Sequence, residues 1–296
     1  MKEFAGRTAF ITGGASGIGL GLARALLAEG CKVAIADIRQ EAIDAALQTL
    51  DNREVIGIRL DVASRDGFAR AADEAEAALG PVSLLFLNAG INLFLPIEES
   101  TYDDWDWVMG VNLHGVINGV QTFVPRMLAN GGDAHIVTTA SMASFLAGPL
   151  PGIYNTTKFA VRGLSESLRY SLAPKGIGVS VLCPGLVKSE IYKSDEIRPT
   201  DLTDTKATDP KFVEQLGHVH QVGMEPDEVA EKTLAGIRAN RFYIFPHPEF
   251  KAEMKEIFDE IIADYPEGDV DPRRVAFEEG RRTRYFESRQ EARGAR

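Results

Sequence analysis

The chain has 296 residues, with 32 Lys and Arg against 43 Asp and Glu for a net charge of −11, and it is 45% hydrophobic and 25% charged. These ordinary globular values exclude a disordered, collagen-like or coiled-coil chain and leave room for a sizeable core without disulfides or structural metal. The acidic balance does not attract phosphate backbones, so nucleic acid is not an expected partner, and two cysteines, Cys31 and Cys183, are too few for a disulfide framework or a Cys-rich zinc site.

In chain order, short apolar runs alternate with longer helix-period stretches. The runs Ala9–Ile11, Val33–Ala36, Val55–Leu60, Leu84–Leu87, Ile136–Thr139 and Val179–Leu182 read as strands. Gly17–Glu29, Glu41–Leu50, Ser64–Leu79, Tyr102–Met127 (with a bend expected near Pro125) and Tyr154–Leu172 read as helices. The strands are continuous rather than alternating, as a sheet covered on both faces requires. Strand–helix alternation then predicts an α/β fold, a doubly wound parallel sheet of Rossmann type in one domain over 1–296. Leu186–Met224 carries few periodic signals and is expected to be a substrate loop region. Glu225–Asn240 reads as a helix, Phe242–Pro246 as a last strand, and Phe250–Asp264 as an amphipathic helix within a C-terminal helical extension, 247–296. Residues 273–296 hold eight Arg and four Glu, a solvated helix, a frayed tail or an intersubunit arm. The first strand starts near Thr8, too early for an apolar leader before it, and no run of about 18 apolar residues occurs. The expected setting is cytoplasmic and the expected membrane contact none.

Between the first strand and first helix lies Thr12-Gly13-Gly14-Ala15-Ser16-Gly17-Ile18-Gly19. Glycines here permit a tight turn and close backbone approach, and the helix start offers free N–H groups to a pyrophosphate. The spacing is Gly-x3-Gly-x-Gly. It departs from Gly-x-Gly-x-x-Gly because Leu22 stands where the last Gly would be. Asp37 follows twenty residues after Gly17, where a carboxylate meets the ribose hydroxyls and repels a 2′-phosphate, so NAD is expected over NADP. Arg39 is the one residue that argues the other way. Asp61 fits two readings, an acceptor for the adenine amino group or an ordinary helix-start residue.

Ser141 lies just past a strand end, and thirteen residues later come Tyr154 and Lys158, four apart and so on one helix face. A phenol with a pKa near ~10 is a poor base at neutrality. Lowering that value by about 3 takes roughly 4 kcal/mol, which a close ammonium and a positively charged nicotinamide supply together. His218-x-His220 lacks a third ligand nearby, so no metal is expected. No Gly-x-Ser-x-Gly nucleophile elbow occurs.

Taken together, Thr12-Gly-x3-Gly17-x-Gly19, Asp61-Val62, Asn88-Ala89-Gly90, Asn112, Ser141, Tyr154-x3-Lys158 and Pro184-Gly185 resemble the short-chain dehydrogenases/reductases over about residues 5–245. The resemblance implies that Tyr154 donates or accepts the proton at the substrate oxygen, Ser141 orients that oxygen, Lys158 binds the nicotinamide ribose and tunes Tyr154, and Asn112 holds a helix distortion and a relay water. It assigns to the cofactor Gly13, Ser16, Gly17, Ile18, Gly19, Asp37, Asp61, Val62, Asn88, Ala89, Gly90, Pro184, Gly185, Val187 and Ser189, besides Tyr154 and Lys158. Leu87 stands where the family often has Asn, and Ser189 where it usually has Thr. A homodimer or homotetramer is implied, with Tyr102–Met127 and Tyr154–Leu172 as contact helices.

Within the family, Thr101–Trp107, Pro125–Met127, His218–Glu225 and the Arg-rich tail resemble the NAD-dependent Cα-dehydrogenases of bacterial lignin β-aryl-ether degradation. That implies a small-molecule substrate, a benzylic secondary alcohol interconverted with its ketone. Phe94, Phe145, Leu146, Leu150, Leu186, Ile191 and Tyr192 are candidates for an apolar pocket. The alternatives are a family dehydrogenase for a steroid, sugar or polyol, and a non-catalytic NAD-binding scaffold.

Overall fold

A computed structural model describes residues 1–294 apart from Lys2 and Gly132. The last two residues of the expected tail, 295 and 296, lie outside the described part. The amino-terminal half runs β1 (Thr8–Thr12), α1 (Gly17–Ala28), β2 (Lys32–Asp37), α2 (Gln40–Leu50), β3 (Val55–Arg59), α3 (Arg65–Leu79), β4 (Val82–Leu87), α4 (Tyr102–Met109) and α5 (Gly115–Asn130). It continues with β5 (Ala134–Thr139), α6 (Gly152–Leu172), β6 (Ile177–Leu182), α7 (Pro210–His220), α8 (Pro226–Arg238), β7 (Tyr243–Ile244), α9 (Lys251–Ala263) and α10 (Pro272–Gly294).

The seven strands form one sheet in the order β3-β2-β1-β4-β5-β6-β7, and every pairing is parallel. Strands β1 and β5, on either side of the central β4, are buried along their whole length, as their apolar runs demand. On one face, Phe68 of α3, Phe123 of α5 and Val161 of α6 pack on Phe10 and Ile136. On the other, Leu22 and Leu26 of α1, Ile43 of α2 and Val229, Leu234 and Ile237 of α8 pack on Ile11 and Ile35. This sandwich leaves the carboxyl ends of the strands as the free edge where loops gather.

Local signals set the helix starts. Ser64 accepts a hydrogen bond from Gly67 N at 3.0 Å. Thr101 and Asp104 cap α4 reciprocally. Pro226 sits in the first turn of α8, where its missing N–H costs nothing.

Three expectations need correction. The irregularity in the long helix is not at Pro125, through which α5 runs on. It is a π-helical segment, Gly110–His114, created by a side-chain contact described below. The region 186–224 is not structureless: it holds a 3-10 segment, Ile191–Ile197, and helix α7, and its ends pair through a Val187–Met224 bridge. The last strand shrinks to Tyr243–Ile244. Helix α9 forms as its period predicts, but its apolar face is incompletely covered; Ile262 is 65% exposed. Helix α10 docks against α6, where the Tyr170 hydroxyl donates to the Tyr285 hydroxyl at 2.9 Å. Cys31 and Cys183 are free and buried, and burial pushes both thiols up to about 12. Among the described residues no helix is long and apolar enough to cross a membrane.

Candidate active site

A cleft of about 960 Å³ opens at the carboxyl ends of the strands, within the range of small-molecule and cofactor sites. The glycine turn after β1 forms its floor. Gly13 and Gly17 have φ of +62° and +48°, the left-handed region that glycine tolerates. Gly19 is required for contact: a Cβ there would lie 2.0 Å from the Gly13 carbonyl oxygen. Asn88 clamps the turn from β4. Its Nδ2 donates to Thr12 O at 3.1 Å and Gly13 O at 3.3 Å, while Thr12 Oγ1 accepts from Asn88 N and Ala89 N at 2.9 and 3.1 Å. Ser16 starts α1 without capping it by its side chain. The first-turn N–H groups are therefore left for a ligand, as an anion-binding helix start requires.

At the end of β2, Asp37 is buried and accepts from Arg39 N at 3.2 Å and Arg39 Nε at 3.4 Å. Arg39 also reaches Ser16 Oγ at 3.2 Å, so one guanidinium bridges the carboxylate and the glycine turn. Asp61 Oδ1 accepts from Ala63 N at 2.9 Å in the turn ahead of α3, whose cap is Ser64, and the residue lines the cleft.

Ser141, Tyr154 and Lys158 meet where β5 and α6 approach. Ser141 Oγ accepts from Ala143 N at 3.1 Å and donates to Pro184 O at 3.4 Å, and the Ser141 side chain lies close enough to favour the Tyr154 phenolate. Lys158 is buried, with Nζ donating to Thr139 O at 2.8 Å and lying 5.3 Å from the centre of the Tyr154 ring. Burial pulls the Lys158 ammonium down to about 8. Burial also raises the Tyr154 phenol, more than the nearby Ser141 lowers it. The sequence argument expected a lowered phenol; in the folded protein desolvation is the larger effect. Asn112 is fully buried in the π-helical segment. Its Oδ1 accepts from Ile91 N at 2.8 Å, and its Nδ2 donates to Ile91 O at 2.9 Å and Thr157 Oγ1 at 3.2 Å. This exchange with β4's extension pulls the helix out of α-register.

Sequence and fold now converge. A family model described as short chain dehydrogenase matches residues 7–199. The chain belongs to the short-chain dehydrogenases. It is 43% identical over 276 residues to the C alpha-dehydrogenase of Sphingobium sp., covering 92% of this chain and 90% of that one. A short-chain dehydrogenase structure from Novosphingobium aromaticivorans superposes with a TM-score of 0.87 at 55% identity, over 99% of this chain and 100% of the other. A Burkholderia phymatum short-chain dehydrogenase/reductase solved in complex with NAD superposes with a TM-score of 0.84 at 37% identity, over 92% and 100%. The protein is thus an enzyme, an alcohol dehydrogenase/reductase of a family that uses a nicotinamide cofactor. The residues present fit that group: the glycine cradle, the uncapped start of α1 and the Asp37 edge line one continuous cleft.

The expected site residues of this short-chain dehydrogenase line the cleft together, with two exceptions. Gly19 lies packed beneath Gly13, and Asn112 lies behind the wall. Pro184 O accepts from Met142 N at 2.9 Å, joining the strand ends. Gly185 N donates to His247 Nδ1 at 3.0 Å, and His247 Nε2 donates to Leu186 O at 2.9 Å. Val187 and Ser189 follow along the cleft rim. Of the candidate pocket residues, Phe94, Leu186 and Ile191 line the cleft. Phe145 does not; it packs on Tyr243, Phe245 and Phe258 under the C-terminal extension. Tyr192 packs against His220 with the rings tilted by 42° and 5.0 Å between centroids.

Sequence reasoning missed how the 186–209 segment is fastened. Arg198 is nearly buried, donates to Asp104 Oδ1 at 2.6 Å and Asp195 Oδ1 at 2.7 Å, and lies 4.6 Å from the Trp107 ring. Asp103 Oδ2 accepts from Thr203 N and Asp204 N at 3.1 and 2.9 Å. The acidic start of α4 is the anchor of this cover. Its signal was the triple Asp of 103–106, for which no basic partner is near in sequence. Among the described residues no cluster of three or more His, Cys, Asp or Glu is placed to hold a metal.

Proposed function

We propose that the enzyme oxidises the benzylic secondary alcohol of an aryl ether to its ketone, reversibly, with NAD as acceptor and Tyr154 as the acid/base. The observation that carries this reading is the Ser141–Tyr154–Lys158 group, facing a cleft whose substrate side is walled by Phe94, Trp107, Leu202 and Leu216. The likeness to a C alpha-dehydrogenase over nine-tenths of the chain supports the choice of substrate.

Gly13, Ser16, Gly17 and Ile18 would hold the pyrophosphate, Asp37 the adenosine ribose, and Asn88–Gly90 and Pro184–Ser189 the nicotinamide. When bound, the nicotinamide supplies the acceptor or donor of a hydride at the carbinol carbon. In oxidation the Tyr154 oxygen takes the hydroxyl proton while Ser141 supports the developing oxyanion. In reduction the raised phenol keeps its proton and gives it to the carbonyl oxygen. The Lys158 ammonium, fixed by Thr139 O, supplies positive charge beside the ring. Asp37 favours NAD because its carboxylate repels a 2′-phosphate, although Arg39 partly neutralises it. Assembly into a dimer or tetramer through α5 and α6 belongs to the same reading, and Leu128 and Phe159 are exposed there.

The test follows nicotinamide absorbance with purified enzyme, NAD or NADP, and secondary alcohols from 1-phenylethanol and aryl-ether dimers to steroids and polyols. Turnover of the aryl ethers with NAD is the expected result. Turnover confined to other alcohols keeps the chemistry and removes the substrate assignment.

A further inference from the structure

The parallel ladder between β6 and β7 breaks off just before the site. Val181 N donates to Phe242 O at 2.7 Å and Cys183 N to Ile244 O at 2.9 Å. The next bond of that register would run from Gly185 N to Pro246 O. Pro246 O accepts instead from the Lys232 ammonium of α8 at 3.0 Å, and Gly185 N donates to His247 Nδ1 at 3.0 Å. A side chain thus stands in for the missing backbone acceptor. Because a backbone N–H can only donate, Nδ1 carries no proton and the ring proton sits on Nε2, which donates to Leu186 O at 2.9 Å. His247 is 4% exposed and lies behind the cleft wall, whereas Pro184, Gly185 and Leu186 line the cleft.

The turn is shaped to receive this ring. A Cβ at Gly185 would lie 2.3 Å from Phe250 Cε2 and 3.2 Å from His247 Cδ2, so glycine is what lets the start of the C-terminal extension press against the turn. One residue earlier, Pro184 O accepts from Met142 N at 2.9 Å and from Ser141 Oγ at 3.4 Å. A short run of main chain therefore joins His247 to the reacting serine. The two bonds of the imidazole do not weigh equally. Leu186 O also accepts from Met224 N at 3.0 Å and keeps a partner without the ring. The bond to Nδ1 is the one that fixes the Gly185 N–H, and an amide left unpaired there would let the turn shift. We propose that His247 is a positioning residue for the nicotinamide end of the cofactor: its Nδ1 fixes Gly185 and so the course of Pro184–Ser189 past the nicotinamide.

The inference rests on the NAD reading, in which the glycine turn and Asp37 hold one end of the dinucleotide and Pro184–Ser189 the other; it does not depend on which alcohol is the substrate. ADP-ribose, which is the dinucleotide without its nicotinamide, separates the two ends. The experiment is titration calorimetry of NADH and of ADP-ribose with the wild type and His247 variants. His247→Leu removes both ring nitrogens and keeps most of the volume. We expect it to weaken NADH about tenfold while ADP-ribose stays within about threefold of wild type. His247→Asn places a carbonyl oxygen near the position of Nδ1 and is expected to bring NADH back to within about threefold of wild type. A fold-wide defect would weaken both ligands together and would not be rescued by asparagine. His247→Ala replaces the leucine variant, with the same expected split, if leucine does not fold. Equal losses on both ligands, no loss on either, or an asparagine variant as weak as the leucine one overturns the inference. ADP-ribose that fails to bind the wild type while NADH binds would overturn the placement of the cofactor itself, and the inference with it.

Discussion

The cofactor half and the substrate half of the cleft are built in different ways. The cofactor half is built on backbone: the glycine turn fits beneath Ala89 with no room for a Cβ at Gly13 or Gly19, and the Asn88 side chain clamps the turn by its main-chain carbonyls. The substrate half is a cover fastened by side chains, with Arg198 between Asp104 and Asp195 and Asp103 under Thr203 and Asp204. A half made of backbone contacts tolerates almost no substitution and serves one ligand. A half made of side-chain fastenings is replaceable piece by piece, which is how one fold serves many alcohols.

The sharpest way to break the first half is Gly19→Val. Its branched side chain meets the Gly13 carbonyl, and we expect cofactor binding to be abolished, read by quenching of intrinsic fluorescence, with a clear fall in Tm. Asp37→Ser is gentler. It frees Arg39 from its carboxylate, and the ratio of kcat/KM for NADP over NAD is expected to rise about ten- to a hundredfold. In the second half, Arg198→Ala leaves the buried Asp104 carboxylate unpaired, a change worth about 3–5 kcal/mol to the local structure. The expected result is an alcohol KM raised about tenfold, unchanged cofactor affinity and new proteolytic cleavage within 190–208.

The smallest effect is one of pH. Oxidation needs the Tyr154 oxygen without its proton, and burial raises that pKa, so the oxidation rate climbs with pH by at most about tenfold per unit. The climb bends near pH 8, where Lys158 begins to lose its charge. Ketone reduction, which uses the protonated phenol, stays level up to that point and then falls. Initial rates in both directions across pH check the two shapes.

The contrast also explains what could be read in the sequence. The glycine turn, Asp37 and Ser141 were legible because each lies at or just past a strand end, ends that the sheet order brings together, and the Tyr154–Lys158 pair because residues four apart share one face of α6. The π-helical segment falls at Asn112, where the family resemblance put a helix distortion; the residue pattern alone pointed to Pro125 instead, because the cause is the distant Asn112–Ile91 exchange, which leaves no mark in local propensity. Helix α7 did leave a mark: Asp209-Pro210 followed by Phe212, Val213, Leu216 and Val219 is a capped amphipathic pattern, hidden by the polar residues around it. Arg198 was invisible because its partner Asp104 lies far back in the chain, and long-range ion pairs have no period.

The most direct measurement uses a 1-aryl-2-aryloxypropane-1,3-diol carrying deuterium on the benzylic carbinol carbon, incubated with the enzyme and NAD, with mass spectrometry of both products. The account predicts the aryl ketone and deuterated reduced cofactor in equal amounts, and neither product with Tyr154→Phe. Ketone formed with the label released to water, or no oxidation of this alcohol while non-aromatic alcohols are consumed, would contradict it.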